Sequence, residues 1–366
     1  MKITIFGLSI TSSWGNGHAT TFRSLCRALW QRGHEIVFFE KDQEWYSANR
    51  DMPEPPFCTT WVYQDWKRES PRVRRMLHDS DVVIVGSYVP DGATVIDEVL
   101  ASSVPVKAFY DIDTPVTFAK LRAGDTEYLR RDQVGEFDLY LSFTGGPMLE
   151  EIETRFGARR ALPFYCSFDP ERYHFTTDPQ FRCDLSYMGT YAPNRQPKID
   201  ELFCEPARRL RHAKFLIAGP MYPENLRWPA NVRHMVHVEP RLHPGFYSSA
   251  QFTLNVTRAE MIAAGFSPSV RLFEAAACGA TIISDYWPGL ELFLQPEKEI
   301  LLPRSADDVV SYINELSGDA SRAIGRAAQE RVLAEHTAAH RAAQLETYVE
   351  DALSSTAIRP ESAALG

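Results

Sequence analysis

Short apolar runs recur along this chain, each followed by an amphipathic stretch. That alternation is the pattern of parallel strands joined by crossover helices, and it points away from all-helical and all-β folds. In the first half the strand-like runs are ITIFG (3–7), EIVFFE (35–40), DVVIVG (81–86), VKAFY (106–110) and DLYLSF (138–143). Helices are expected between them, at His18–Gln31, where Phe22, Leu25, Ala28 and Leu29 share a face before Gly33, and at Gly146–Phe156. The second half repeats the grammar with CDLSYMG (183–189), KFLIAG (214–219), VRHMVHV (232–238), FTLNV (252–256) and ATIIS (280–284). A turn-rich stretch, LPFYCSFDPERYHFTTDP (162–179), reads as the linker between them. The expected fold is α/β: two Rossmann-like domains, 1–165 and 166–340, with parallel sheets facing a cleft. An Ala/Arg/Glu-rich helical region follows Ser305, and a C-terminal helix with a flexible tail (341–366) closes the chain.

The length of 366 residues suits two cores of roughly 150–200 residues each. With 39 basic and 48 acidic residues the net charge is −9, so the chain has no overall attraction for nucleic acid or anionic lipid. An anionic ligand would have to be held by local cations and helix ends. The N-terminus runs directly into a strand-like segment, so a secretory leader is not expected. No segment is apolar enough for a transmembrane helix. The six cysteines are scattered, with no CxxC pair, which suggests reduced thiols, a cytoplasmic location and no zinc site.

The most informative segment is SPSVRLFEAAACGA (267–280). Ser267 and Pro268 read as the N-cap and first position of a helix, and Gly279 as its C-terminal stop. In an open α/β sheet such a helix points its N-terminus to the ligand-binding edge, where free N–H groups suit a diphosphate. Glu274 lies six residues past Pro268, about 9 Å along the axis, the offset from a diphosphate to the ribose of its nucleoside. A carboxylate accepting both ribose hydroxyls is a fitting partner there. The plainer alternative is an Arg271–Glu274 ion pair on a solvated face.

This segment resembles the nucleotide-sugar signature of GT-B glycosyltransferases, most closely that of the CgeB-like (spore maturation protein) group. The resemblance extends to SSWGNGHATTFR (12–23), FYDIDTPVT (109–117), YCSFDPERY (165–173), YMGTYAPNRQ (187–196), FTLNVTRAEM (252–261) and RLFEAAACGATIISDYWPGLELF (271–293). It implies an acceptor-binding first domain, a donor-binding second domain and a last helix that crosses back to the first. Gly189 and Thr190 would form the tight turn under the donor. Arg195, or Lys198 in its place, would grip the diphosphate, unless Arg195 is simply an exposed residue at a helix start. Arg271 would contact phosphate or bridge to Glu274. Ser267 and Ser269 belong to the helix N-terminus. Val238 and Glu239, in HVEP (237–240), would read the nucleobase, or else form a plain strand exit. Many retaining relatives carry an acid eight positions before the ribose-binding glutamate, where this chain has Phe266. Glu260, with Arg258, lies in the preceding loop.

In the first half, LSITSSWGNGH (8–18) lacks the GxGxxG spacing of a dinucleotide site. A flexible loop at Trp14, Gly15, Asn16 and Gly17, under the donor phosphates or beside the acceptor, fits better. His18 is its candidate base, or a helix cap. Asp111 and Asp113 form a DxD at a strand end, which reads as acceptor recognition, general base, helix cap or metal site.

The implied reaction transfers a sugar from a UDP-, GDP- or dTDP-linked donor to an unidentified acceptor hydroxyl, without metal, with retention, and with nucleotide sugar as co-substrate rather than cofactor. Retention would let the leaving phosphate take the acceptor proton, whereas inversion would need His18 or Asp113. A nucleotide-sugar epimerase or a non-catalytic binding protein shares the same pocket.

Overall fold

The computed structural model describes residues 1–15, 17–125 and 127–357. They divide into two compact units. Unit 1 comprises Met1–Tyr165 and the chain from Ala338, and unit 2 is Cys166–Thr337.

Unit 1 is built on seven parallel strands: β1 (Lys2–Gly7), β2 (Glu35–Lys41), β3 (Thr59–Tyr63), β4 (Val82–Gly86), β5 (Val106–Asp111), β6 (Leu139–Ser142) and β7 (Ala161–Pro163). Their spatial order is β3-β2-β1-β4-β5-β6-β7. The central strands are buried throughout, which is why they read as continuous apolar runs such as VVIVG. β3 and β7 lie at the two edges and fall outside the expected runs. β7 occupies the start of the stretch read as linker, and the passage between units lies within that stretch, at Tyr165–Cys166.

The helix Gly17–Gln31 begins one residue before its expected start and packs against the last helix, Ala338–Ala357. Glu346 on that last helix accepts hydrogen bonds from Arg32 and from His34 Nε2, the latter at 2.7 Å. These bonds, Arg32 first, hold its carboxyl down at about 2. The expected flexible tail lies, beyond Ala357, outside the described residues.

Unit 2 has five parallel strands: β8 (Cys183–Met188), β9 (Phe215–Ala218), β10 (Val232–Met235), β11 (Ala250–Asn255) and β12 (Ile282–Ser284). They are ordered β10-β9-β8-β11-β12. Leu185, Tyr187, Phe203, Ile217, Phe252 and Leu254 form the centre of its core. The helix Val270–Ala277 starts later than the sequence suggests, with Ser269 rather than Ser267 as N-cap. Pro268 precedes the cap, outside the helix, and its carbonyl accepts from the Cys166 thiol at 3.4 Å. Gly279 does follow the helix, with φ +70°.

Candidate donor and acceptor sites

In unit 2 the chain leaves β8 through Gly189 and Thr190. A methyl group on Gly219, just past β9, would lie 2.0 Å from the Gly189 carbonyl oxygen. The two strand exits therefore approach more closely than any side chain permits. At Gly189 a methyl would meet Tyr187 Oη at 2.7 Å and Arg271 Nη2 at 2.8 Å, so this glycine makes room for a guanidinium.

Arg271 donates from Nε to the Met188 carbonyl at 2.6 Å and from Nη1 to Asn255 Oδ1 at 2.9 Å. The ion pair with Glu274, the plainer reading of the motif, is not formed. Asn255, at the end of β11, also accepts from the Ser269 hydroxyl at 2.8 Å and donates to Ser284 Oγ at 2.9 Å. It ties β11, β12 and the start of the Val270–Ala277 helix together, a role that a lone asparagine at a strand end does not announce.

Arg195 donates to the Thr190 carbonyl, while its buried Nε has no partner. It is not an exposed helix-start residue. Burial, together with the charges of Arg271 and Arg258, holds its pKa below the usual arginine value. Three guanidiniums thus share one strand-end region and repel one another, which is the electrostatic condition for anion binding.

Glu274 is 5% exposed. Burial raises its pKa to about 7, against the opposing influence of the Tyr173 hydroxyl, Arg271 and Arg172. Val238 is buried and its carbonyl accepts from His243 Nε2 at 3.2 Å. Glu239 is exposed and its carboxylate is taken by Arg241 at 2.5 Å, so its side chain faces away from that role. Lys198 is paired with Glu201 at 2.7 Å.

The remaining residues lie around this centre. Ser267 is buried and donates to Met261 Sδ at 2.9 Å. Arg258 caps the helix Ala259–Ala264, and Glu260 in its first turn accepts from Asn194 Nδ2 at 2.9 Å. Phe266 adopts φ +49°, unusual for a bulky residue. Its ring lies so close to Gly289 that a methyl there would be 2.3 Å from Phe266 Cδ1.

In unit 1 the expectation of a flexible loop at 8–18 needs correction. Ser9 through Ser12 are buried. Glu40 accepts from the Ile10 and Thr11 amides at 2.7 and 3.0 Å, and Asp51 accepts from the Ser13 amide at 2.8 Å. Arg23 bridges Asp51 at 2.7 Å and the Ile10 carbonyl at 2.7 Å. Only the tip projects: Trp14 is 41% exposed, and Gly15 and Gly17 are exposed. Asn16 lies outside the described residues.

Beyond this loop, the strand ends of β1, β4 and β5 gather three side chains. The His18 ring meets the Tyr88 ring edge-on at 5.3 Å between centroids, and the Tyr88 hydroxyl donates to Asp113 Oδ2 at 3.3 Å. Tyr88 has φ +63°, a strained backbone for an aromatic residue. No sequence pattern marked it.

Asp111, read with Asp113 as a catalytic pair, faces the interior instead. It is 0% exposed, accepts from Tyr140 Oη at 2.5 Å and from Thr117 Oγ1 at 2.7 Å, and burial raises its pKa to about 6. It therefore supports the core of unit 1, and the DxD cannot supply two carboxylates to one metal. Asp113 keeps partial exposure at the start of the helix Thr114–Arg122, without a side-chain capping bond.

Residues 195–347 match a family model described as glycosyl transferase-like. No curated protein matches the chain in sequence. Among solved structures, sucrose-phosphate synthase from Thermosynechococcus elongatus superposes with a TM-score of 0.70 at 14% identity, covering 97% of this chain and 99% of that one. Anabaena HepE in complex with UDP and glucose gives 0.66 at 13% identity, covering 96% and 100%. An alpha-glucosyltransferase in complex with UDP-glucose and DNA containing an abasic site gives 0.70 at 12% identity, covering 96% and 99%. The fold is α/β with two parallel sheets and matches GT-B glycosyltransferase structures, and its second half carries a glycosyl transferase-like domain.

Proposed function

We propose that the chain is a glycosyltransferase that moves a sugar from a nucleoside diphosphate to an acceptor hydroxyl, without a metal and with retention of configuration. The observation that carries this reading is the gathering of Arg195, Arg258 and Arg271 at the exit of β8, with the buried carboxyl of Glu274 within the electrostatic reach of Arg271. A diphosphate would neutralise the arginines, and ribose hydroxyls would satisfy the carboxyl. The HepE and alpha-glucosyltransferase structures contain UDP or UDP-glucose on the same fold, which supports a nucleotide-sugar donor.

In this reading Gly189, Thr190, Arg195 and Arg271 hold the diphosphate, aided by the first turn after Ser269. Negative charge grows on the leaving diphosphate in the transition state, and fixed guanidiniums stabilise it without reorganising. Val238 lines the nucleobase. His18 and Asp113 of unit 1 are assigned to the acceptor, while the departing phosphate takes its proton. The resemblance of its sequence motifs supports assigning the protein to the CgeB-like group, with the cytoplasm as its place of action.

The test is a thermal-shift screen over UDP, GDP, dTDP and their sugars, since a ligand of the native state raises apparent stability. At least one should raise the melting temperature of the native chain and fail to do so in Arg195→Ala and Arg271→Ala. A screen with no shift from any of them would overturn the donor pocket. Transfer should persist in excess EDTA; loss that Mn²⁺ or Mg²⁺ restores would overturn the metal-free mechanism.

A further inference from the structure

Tyr187 stands near the end of β8, two residues before Gly189, and is absent from every set of residues assigned to the donor so far. Its ring is 0% exposed, and the Arg271 guanidinium lies over it, 5.0 Å from the ring centroid. The Tyr187 hydroxyl is buried and has no hydrogen-bond partner among the described residues. An unpaired buried hydroxyl weakens a fold, and phenylalanine would fill the same space without it.

The acceptors nearby are already engaged. The Met188 carbonyl accepts from Arg271 Nε at 2.6 Å, the Gly189 carbonyl from Tyr222 Oη at 3.2 Å, and the Thr190 carbonyl from Arg195 Nη2 at 2.5 Å. Donors, by contrast, are in surplus. Arg195 Nε is buried without a partner. Arg271 spends Nε and Nη1 on Met188 and Asn255, which leaves Nη2 without a hydrogen bond among the described residues. A methyl on Gly189 would stand 2.7 Å from Tyr187 Oη and 2.8 Å from Arg271 Nη2, so a neutral and a charged donor flank one bare spot on the turn. Such a set of donors, with its acceptors used up, suits a guest whose oxygens only accept, and a phosphate is that guest.

We propose that Tyr187 is a further diphosphate-binding residue, its hydroxyl donating to the same phosphate group as Arg271 Nη2. The inference rests on the donor-pocket reading above and adds an uncharged donor to its arginines. Only the hydrogen that Gly189 carries in place of a side chain separates the hydroxyl from the bound diphosphate, and a slight yielding of this glycine turn lets them meet. The O–H hydrogen is aimed by rotation about the Cζ–Oη bond alone. The hydroxyl is therefore unpaired in the empty chain and paired in the loaded one. It costs stability without nucleotide and contributes affinity with it.

The experiment compares the native full chain with Tyr187→Phe, by thermal melting and by calorimetric titration with UDP, GDP and dTDP and with uridine, guanosine and thymidine. Without nucleotide, Tyr187→Phe should melt about 2–4 °C above the native chain, because the unpaired hydroxyl is gone. It should bind the preferred nucleoside diphosphate about tenfold more weakly, since a phosphate oxygen loses one donor. The matching nucleoside should bind both chains alike.

A hydroxyl that served only packing would give the opposite pattern. Tyr187→Phe melting at or below the native chain, or failing to fold, overturns the proposal. So does an unchanged affinity for the diphosphate, or an equal loss for nucleoside and diphosphate. Tyr187→Leu, which also removes the ring beneath Arg271, should lose more affinity than Tyr187→Phe. If the native chain binds none of the three diphosphates, the donor-pocket reading falls and this inference with it; if it binds one and Tyr187→Phe binds it equally well, the inference alone falls.

Discussion

Glu274 is 5% exposed, and that placement sets two properties in opposition. Its folded pKa of about 7 lies above the ordinary glutamate value. The carboxyl therefore contributes stability that is fully present below its unfolded pKa, near 4.3, and is lost as pH rises through 7. The loss amounts to about 4 kcal/mol. Glu274→Gln, which cannot ionise, should melt above the native chain at pH 8, with the gap closing towards pH 4 in thermal melts. The same variant should bind the nucleotide more weakly by about 1.5–3 kcal/mol, the worth of hydrogen bonds to a charged group. Asp111 and Asp113 show how little a motif says about orientation. Two residues apart in the sequence, one is sealed against Tyr140 and Thr117 and the other reaches towards Tyr88. Asp111→Ala should destabilise by about 3 kcal/mol in chemical denaturation, because two buried hydroxyls lose their acceptor. Asp113→Asn should lose transfer activity with a nearly unchanged melting temperature.

Among the elements, those buried on both faces were the easiest to read from the sequence. β1, β2, β4 and β5 are largely apolar and buried over most of their length, so their expected and observed limits differ by about one residue. β3 escapes the pattern because this edge strand has neither an apolar run nor a strict alternation, only Tyr63 being buried, and β7 because it has only three residues and ends in proline. The helix Val270–Ala277 was recognised by its stop signal but misplaced at its start, since Ser267, Pro268 and Ser269 all favour a helix entry and only tertiary contacts choose among them. The Tyr173–His243 contact spans 70 residues and lies beyond any local pattern. Close packing of this helix depends on a glycine in another one. A methyl on Gly325, in the helix Gly318–Glu335, would lie 2.4 Å from the Gly279 carbonyl oxygen. Backbone cannot swing aside as a side-chain tip does. Gly325→Ala should thus cost about 1–3 kcal/mol of overpacking, outweighing the roughly 1 kcal/mol that alanine brings to a helix interior. The denaturation midpoint is the measurement, and a stabilised variant would contradict the close contact.

For the whole molecule, two domains were legible because the strand grammar starts afresh after the turn-rich stretch, and their common GT-B plan followed from motifs in both halves. That unit 1 is assembled from both ends of the chain rests on contacts across the full length of the sequence. Ala342, Leu345 and Val349 of the last helix are buried, and Glu346 binds Arg32 and His34. A chain ending at Thr337 should therefore lose cooperative melting of unit 1 while unit 2 keeps a separate transition; a single unchanged transition would contradict that. The same discontinuity bears on biosynthesis. A ribosome delivers all of Cys166–Thr337 before it delivers Ala338–Ala357. Synthesis ordinarily lets the N-terminal domain fold first. Here the inserted unit is complete first, and unit 1 waits until the codons of Ala338–Ala357 have been read.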